Sequence, residues 1–215
     1  MALVHRVLRS VVVAEGWWFD LTRRVRTGGY LSLDGLTLVG EAKQGYEYLP
    51  ARPRNVQAAF ADLPARNHSD FAFARFTFVD LGSGKGRLLF LAAEHPFRRI
   101  VGVEFARELH EAACQNIHRY RSLKQRCREI ESVNMDAADY PFPDQPLVIS
   151  LFNSFGPDVL QKVLDNLNAS AGAHPREILL ILLYPKSAFV VEADPHFRAY
   201  KKTRSYHIYQ RRDCE

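Results

Sequence analysis

The chain has 215 residues, 47% of them hydrophobic, enough for one sizeable core. Its 29 basic and 24 acidic residues give a formal charge of +5, which suits an anionic partner but is spread along the chain as on a solvated face. Three cysteines, an odd number without C-x-x-C spacing, suggest neither a disulfide framework nor a zinc site, and point to a reducing, cytoplasmic compartment.

From Leu3 to about Arg26 an amphipathic helix is expected, because Leu3, Val7, Val11 and Val4, Leu8, Val12 each recur at helical spacing. Trp17, Trp18 and Phe19 extend it with aromatic bulk, and Gly28-Gly29 should stop it. Arg6 and Arg9 interrupt the apolar stretch, and the run Val11–Ala14 is too short for a signal segment or a membrane span, so no membrane partner is expected. The stripe is expected to pack against the domain; covering a cofactor or recruiting a partner are its alternatives. Tyr30 to Pro64 reads as a lid region with a short helix at about Asn55–Leu63. The division is therefore 1–64, helix and lid, and 65–215, the core domain.

From Phe76 onward short apolar runs alternate with helical patterns, the signature of a largely parallel sheet. The expected strands are Phe76–Leu81, Arg99–Glu104, Glu129–Asn134, Pro146–Phe152 and Glu177–Tyr184. Helices fit at Arg87–Glu94, Ala106–Tyr120 and Asp158–Leu167, and two later strands, about Phe197–Lys202 and Ser205–Arg211, can pair as an antiparallel hairpin. The eight histidines show no metal spacing beyond His110 and His118, so no metal is expected.

At the end of the first strand, Asp80-Leu81-Gly82-Ser83-Gly84-Lys85-Gly86-Arg87 places three glycines where the chain turns into a helix. Missing Cβ atoms allow a sharp turn and a close ligand, and helix N–H groups point into the crevice at the strand's carboxyl end. A P-loop fails on spacing, since Gly86 follows Lys85 and Val79 stands where its first glycine belongs. A dinucleotide fingerprint is weakened, because Arg87 occupies its third glycine position and should obstruct close helix–strand packing. An exposed-serine hydrolase elbow is absent around Ser83.

The turn resembles motif I of class I S-adenosylmethionine-dependent methyltransferases, D-x-G-x-G-x-G, at Asp80, Gly82, Gly84 and Gly86, and the chain is similar to small bacterial enzymes of that class. The likeness runs from about Phe76 to Gly156. It implies a three-layer α/β Rossmann-like sheet, mostly parallel with an antiparallel C-terminal strand, plus the N-terminal helical extension. It also implies S-adenosyl-L-methionine as cofactor. Glu104, ending its strand, would accept both ribose hydroxyls, as a carboxylate's acceptor-only oxygens can. Asp136 would bond the adenine amino group, the Ala137 N–H a ring nitrogen, and Asp80 would face the methionine end. Ser83 and Phe105 complete the expected cofactor set. Each acid has a structural alternative, Glu104 as a helix cap and Asp136 as a turn residue.

At the fourth strand's end, Asn153-Ser154-Phe155-Gly156 resembles a degenerate form of the [DNS]-P-P-[YF] motif of amino-methylating enzymes, with both prolines missing. It marks Asn153 and Phe155 as catalytic candidates, Asn153 also touching the cofactor. Gly45-Tyr46-Glu47-Tyr48-Leu49-Pro50 loosely resembles the lid segment of Dot1-like and mitochondrial-type lysine methyltransferases. There Tyr46 or Tyr48 would close over the sulfonium. These likenesses imply a protein amino group, lysine first, as the unidentified acceptor, with RNA or a small molecule next. A nicotinamide-dependent oxidoreductase and a catalytically silent cofactor-binding module are the competing readings.

Overall fold

The computed structural model describes residues 2–32, 36–39, 48–65, 71–152 and 155–212, with side chains from residue 13 onward. The first helix, α1, spans Ala2–Arg23 and α2 spans Pro53–Ala61. A Rossmann-like unit follows, with β1 (Thr77–Leu81), α3 (Arg87–Ala92), β2 (Arg99–Glu104), α4 (Arg107–Arg119), β3 (Ile130–Asn134), β4 (Leu147–Phe152) and α5 (Pro157–Ala173). It ends with β5 (Ile178–Leu183), α6 (Ala188–Ala193), β6 (Phe197–Lys202) and β7 (Tyr206–Arg211).

Among the described residues seven strands form one sheet in the order β3-β2-β1-β4-β5-β7-β6. The first five pair in parallel, while β7 runs antiparallel between β5 and β6. Strands β4 and β5 are buried nearly throughout, as apolar strands with helices on both faces must be. The chain reverses sheet direction between β1 and β4, so a crevice opens at their carboxyl ends, where open α/β sheets bind ligands.

One core cluster lies on each face of the sheet. Phe78, Leu89, Phe90, Ile100 and Val148 form one with Phe19, Val25, Val56 and Phe60 of the N-terminal segment. The other holds Val79, Val101, Ile149, Leu164, Leu180 and Tyr209.

Three sequence expectations shift. Helix α1 ends at Arg23, not near Arg26, because Arg24 takes a positive φ of 57° and the Asp20 carboxylate accepts the N–H groups of Thr27 and Gly28. Its aromatic extension does not pack inward: Phe19 is buried, but Trp17 and Trp18 face out. The short helix α6, six residues after Pro185 and Ser187, had no periodicity long enough to be seen.

Candidate functional site

The glycine turn leaves β1 with positive φ at Gly82, Gly84 and Gly86, a conformation that costs other residues steric strain. Its position is fixed from the neighbouring strand: the Gly82 and Ser83 N–H groups both donate to the Val103 carbonyl, at 2.8 and 3.0 Å. Gly102 is the second requirement. A Cβ on it would stand 2.6 Å from Ser83 Oγ and 2.8 Å from Leu89 Cδ1, so β2 must be bare there for the turn to approach. Sequence reading passed over Gly102, although a glycine inside an apolar strand is itself a sign of close backbone approach.

Three acids stand at or just beyond the carboxyl ends of β1, β2 and β3. Glu104 is buried, its Oε2 accepting the Gly84 N–H at 2.7 Å and its Oε1 the Ala106 N–H at 2.9 Å. Glu104 thus fixes the backbone entering α4 at Ala106, but no side chain caps the first turn of that helix. Burial pushes its pKa up to about 7, against the pull of those backbone donors. Asp80 is also raised to about 7, by burial first and by the nearby Glu104 charge, with the Ser150 hydroxyl, donating to Oδ1 at 2.5 Å, opposing. Asp136 accepts the Ala138 N–H through Oδ1 at 3.0 Å and so also makes the expected turn. Its second oxygen carries none of the described hydrogen bonds, and the Ala137 N–H opens the following 3₁₀ turn, where the first donors lack an internal partner. Phe105 follows Glu104 directly, and its carbonyl accepts the Val39 N–H at 3.0 Å.

The N-terminal segment closes on this turn from two sides. Leu38 bridges Ala106, and Tyr48, bridged to Leu31, lays its ring on Gly84. The Tyr48 hydroxyl donates to the Thr27 carbonyl at 2.6 Å, and burial raises its pKa above the usual phenol value. Lys85 Nζ sits 5.1 Å from that ring and donates to the Gly28 carbonyl at 3.0 Å. Arg87 does not obstruct the packing of α3. Its side chain leaves the helix–strand contact, donates to Thr27 Oγ1 at 2.7 Å, and lies 3.6 Å from Asp20. The partners of Arg87, Thr27 and Asp20, were missed in the sequence because groups 60 or more residues apart carry no local signal.

Tyr46, Asn153 and its neighbour Ser154 lie outside the described residues. Phe155 is buried against a small slot of about 20 Å³ at the carboxyl ends of β4 and β5, lined also by Leu151, Leu182, Tyr184, Pro185 and Ser187. Tyr184 is half exposed and holds a φ of 56°, a strained geometry of the kind that gathers at binding sites. No cluster of metal-ligating side chains occurs among the described residues.

Residues 78–170 match the family model of a methyltransferase domain. In fold the chain is similar to an S-adenosylmethionine-dependent O-methyltransferase from Thermotoga maritima, at a TM-score of 0.53 and 11% identity, covering 78% of this chain and 68% of that one. It is also similar to a predicted N6-adenine-specific DNA methylase from Listeria monocytogenes str. 4b F2365, at 0.51 and 14%, covering 76% and 51%. An RNA methyltransferase from Salinibacter ruber in complex with S-adenosyl-L-homocysteine superposes at 0.49 with 19% identity, covering 78% and 95%. No curated protein sequence matches the chain. The family match begins at residue 78, beyond Tyr46–Pro50, so nothing in it corresponds to the likeness with Dot1-like lysine methyltransferases.

Proposed function

Because residues 78–170 are a methyltransferase domain of the class I, S-adenosylmethionine-dependent kind, we propose that the chain methylates an amino group on a protein, lysine foremost. A bound cofactor supplies a methyl group already activated on sulfur. The protein's own residues then have to hold that donor, position an acceptor in line, and exclude water.

The residues at the turn fit such a cofactor. The Ser83 hydroxyl is buried with no hydrogen-bond partner among the described residues, a cost that a polar ligand would remove. We assign Gly82, Ser83, Gly84 and Gly86 to the floor of the pocket. Each Glu104 oxygen spends one lone pair on a backbone N–H and keeps another for a ribose hydroxyl. Asp136 and Ala137 would take the adenine edge, Phe105 its flank, and Asp80 the cationic methionine end. Tyr48 would cover the donor, with Tyr46 and Asn153 assigned beside it on sequence alone. Family membership in the methyltransferases leaves the oxidoreductase reading without support.

The observation that carries the acceptor class is the slot beside Phe155, lined mostly by apolar side chains, with Lys186 and Ser187 as its polar part. An amine attacks only when neutral, and an apolar lining lowers its pKa by penalising the ammonium form. The aliphatic and aromatic side chains that line the slot suit the end of an aliphatic chain. Incubation of the protein with tritiated S-adenosylmethionine and a cell extract should place label in the protein fraction, on lysine. Label confined to RNA or to small molecules would reject the amino-acceptor assignment, and no label in any fraction would favour a silent binding module.

A further inference from the structure

We infer that the outward face of α1 is a docking surface for an anionic lipid bilayer. From Val13 to Arg23 the helix is turned opposite to the usual arrangement, in which charges face water and apolar residues face the core. Both of its acids point inward. Glu15 lies 3.5 Å from Arg52 and accepts the Arg54 N–H at 3.1 Å, and Asp20 is consumed by Thr27, Gly28 and Arg87. Gly16 sits against the Arg87 guanidinium, and Phe19 is buried beneath Arg23 and Arg87.

The opposite side is apolar: Val13 is 69% exposed, Trp17 64%, Trp18 63% and Leu21 55%. At about 100° per residue these four side chains and exposed Ala14 occupy one continuous half of the helix, and no acid stands among them. In the sequence the spacing continues toward the N-terminus through Val7 and Val11, with Arg6 and Arg9 nearby. At the other end Arg24 and Arg26 are exposed, and neither forms an ion pair among the described residues.

Tryptophan and aliphatic side chains on one face, basic residues at the ends and no carboxylate describe a helix that lies in a bilayer interface. Charge selects among occupants. A second copy would bring arginines against arginines, whereas anionic headgroups complement them. A nucleic acid would use the tryptophan rings but leave Val13 and Leu21 without a stacking partner. No described helix is long and apolar enough to cross a membrane, so the geometry is one of lying on the surface. This departs from the expectation of no membrane partner, which weighed only whether a segment could span.

The chain contains two tryptophans, both on this face, so tryptophan emission, excited selectively over the nine tyrosines, reports on the proposed contact. Adding vesicles of phosphatidylglycerol and phosphatidylcholine to the full chain should shift emission to the blue, shield it from acrylamide, and carry the protein upward on flotation. Pure phosphatidylcholine vesicles should do so much less, and added salt should weaken the effect. The double variant Val13→Glu, Leu21→Glu should float at least about tenfold less while melting at the wild-type temperature. Unchanged emission and no flotation would overturn the inference. So would undiminished flotation of the variant, a blue shift produced by protein concentration without lipid, or one produced by an oligonucleotide and not by vesicles.

Discussion

Gly84→Ala is expected to abolish measurable S-adenosylhomocysteine binding and to destabilise the fold by about 3 kcal/mol. Two effects combine. The residue holds φ at +53°, where a side chain adds roughly 1 to 2 kcal/mol of strain. The new Cβ would stand 2.2 Å from Tyr48 Cε2, so the ring must leave. Tyr48 cannot swing freely, because its buried hydroxyl donates to the Thr27 carbonyl and its ring faces Lys85. Displacing it costs that hydrogen bond and loosens the contact between the N-terminal segment and the turn. Gly172→Ala is the control: its Cβ would meet nothing within 4 Å on α5, so it should leave binding intact and raise stability by about 0.5 to 1 kcal/mol. Denaturant melts with calorimetric titration of the by-product measure both quantities. Wild-type affinity in Gly84→Ala would remove the glycine turn from the binding site.

Glu104→Gln should weaken S-adenosylhomocysteine binding by at least about tenfold and flatten the dependence of stability on pH. The sign follows from the raised pKa of Glu104, about 7 in the fold against 4.5 as its ordinary value. Between those values the folded protein binds more protons than the unfolded chain, so stability is highest at low pH and falls as pH rises toward 7. The loss from this one buried group is on the order of 3 kcal/mol. An amide does not ionise, so the variant loses that slope and keeps only the part contributed by Asp80, which is raised for the same cause. It also presents an NH₂ to one of the two backbone donors that the carboxylate now accepts, from Gly84 and Ala106, and spoils one acceptor for the ribose. Thermal melts across pH 5 to 8 with a parallel titration test both parts. A variant with the wild-type pH slope would mean Glu104 is not the titrating group, and one with wild-type affinity would count against the ribose assignment.

The strand ends and the glycine turn were legible in the sequence, because their signals are local. Asp80 and Glu104 stand in the last two residues of β1 and β2, the three glycines follow β1, and Asp136 comes two residues after β3, so all lie toward the carboxyl ends of these strands. The five parallel strands were found within a residue or two because apolar runs and breaking residues bracket them. What was not legible depends on distant partners. Arg87 reads as an obstacle when only its neighbours in sequence are considered, yet Asp20 and Thr27 draw its guanidinium out of the α3 contact. The orientation of α1 was hidden for the same reason: periodicity gives an apolar stripe but not which side of the helix the domain will take. Here ion pairs and hydrogen bonds from Arg52, Arg54, Thr27 and Gly28 to Glu15 and Asp20 hold the acids inward and leave Val13, Trp17, Trp18 and Leu21 facing out.

Cofactor choice is most directly tested by heat-monitored unfolding of the unmodified protein with saturating S-adenosylhomocysteine and, separately, with NADH. Binding at the glycine turn predicts a higher melting temperature with the thioether, growing with its concentration, and none with the dinucleotide. An unmoved transition with S-adenosylhomocysteine, or an equal rise with NADH, would contradict it.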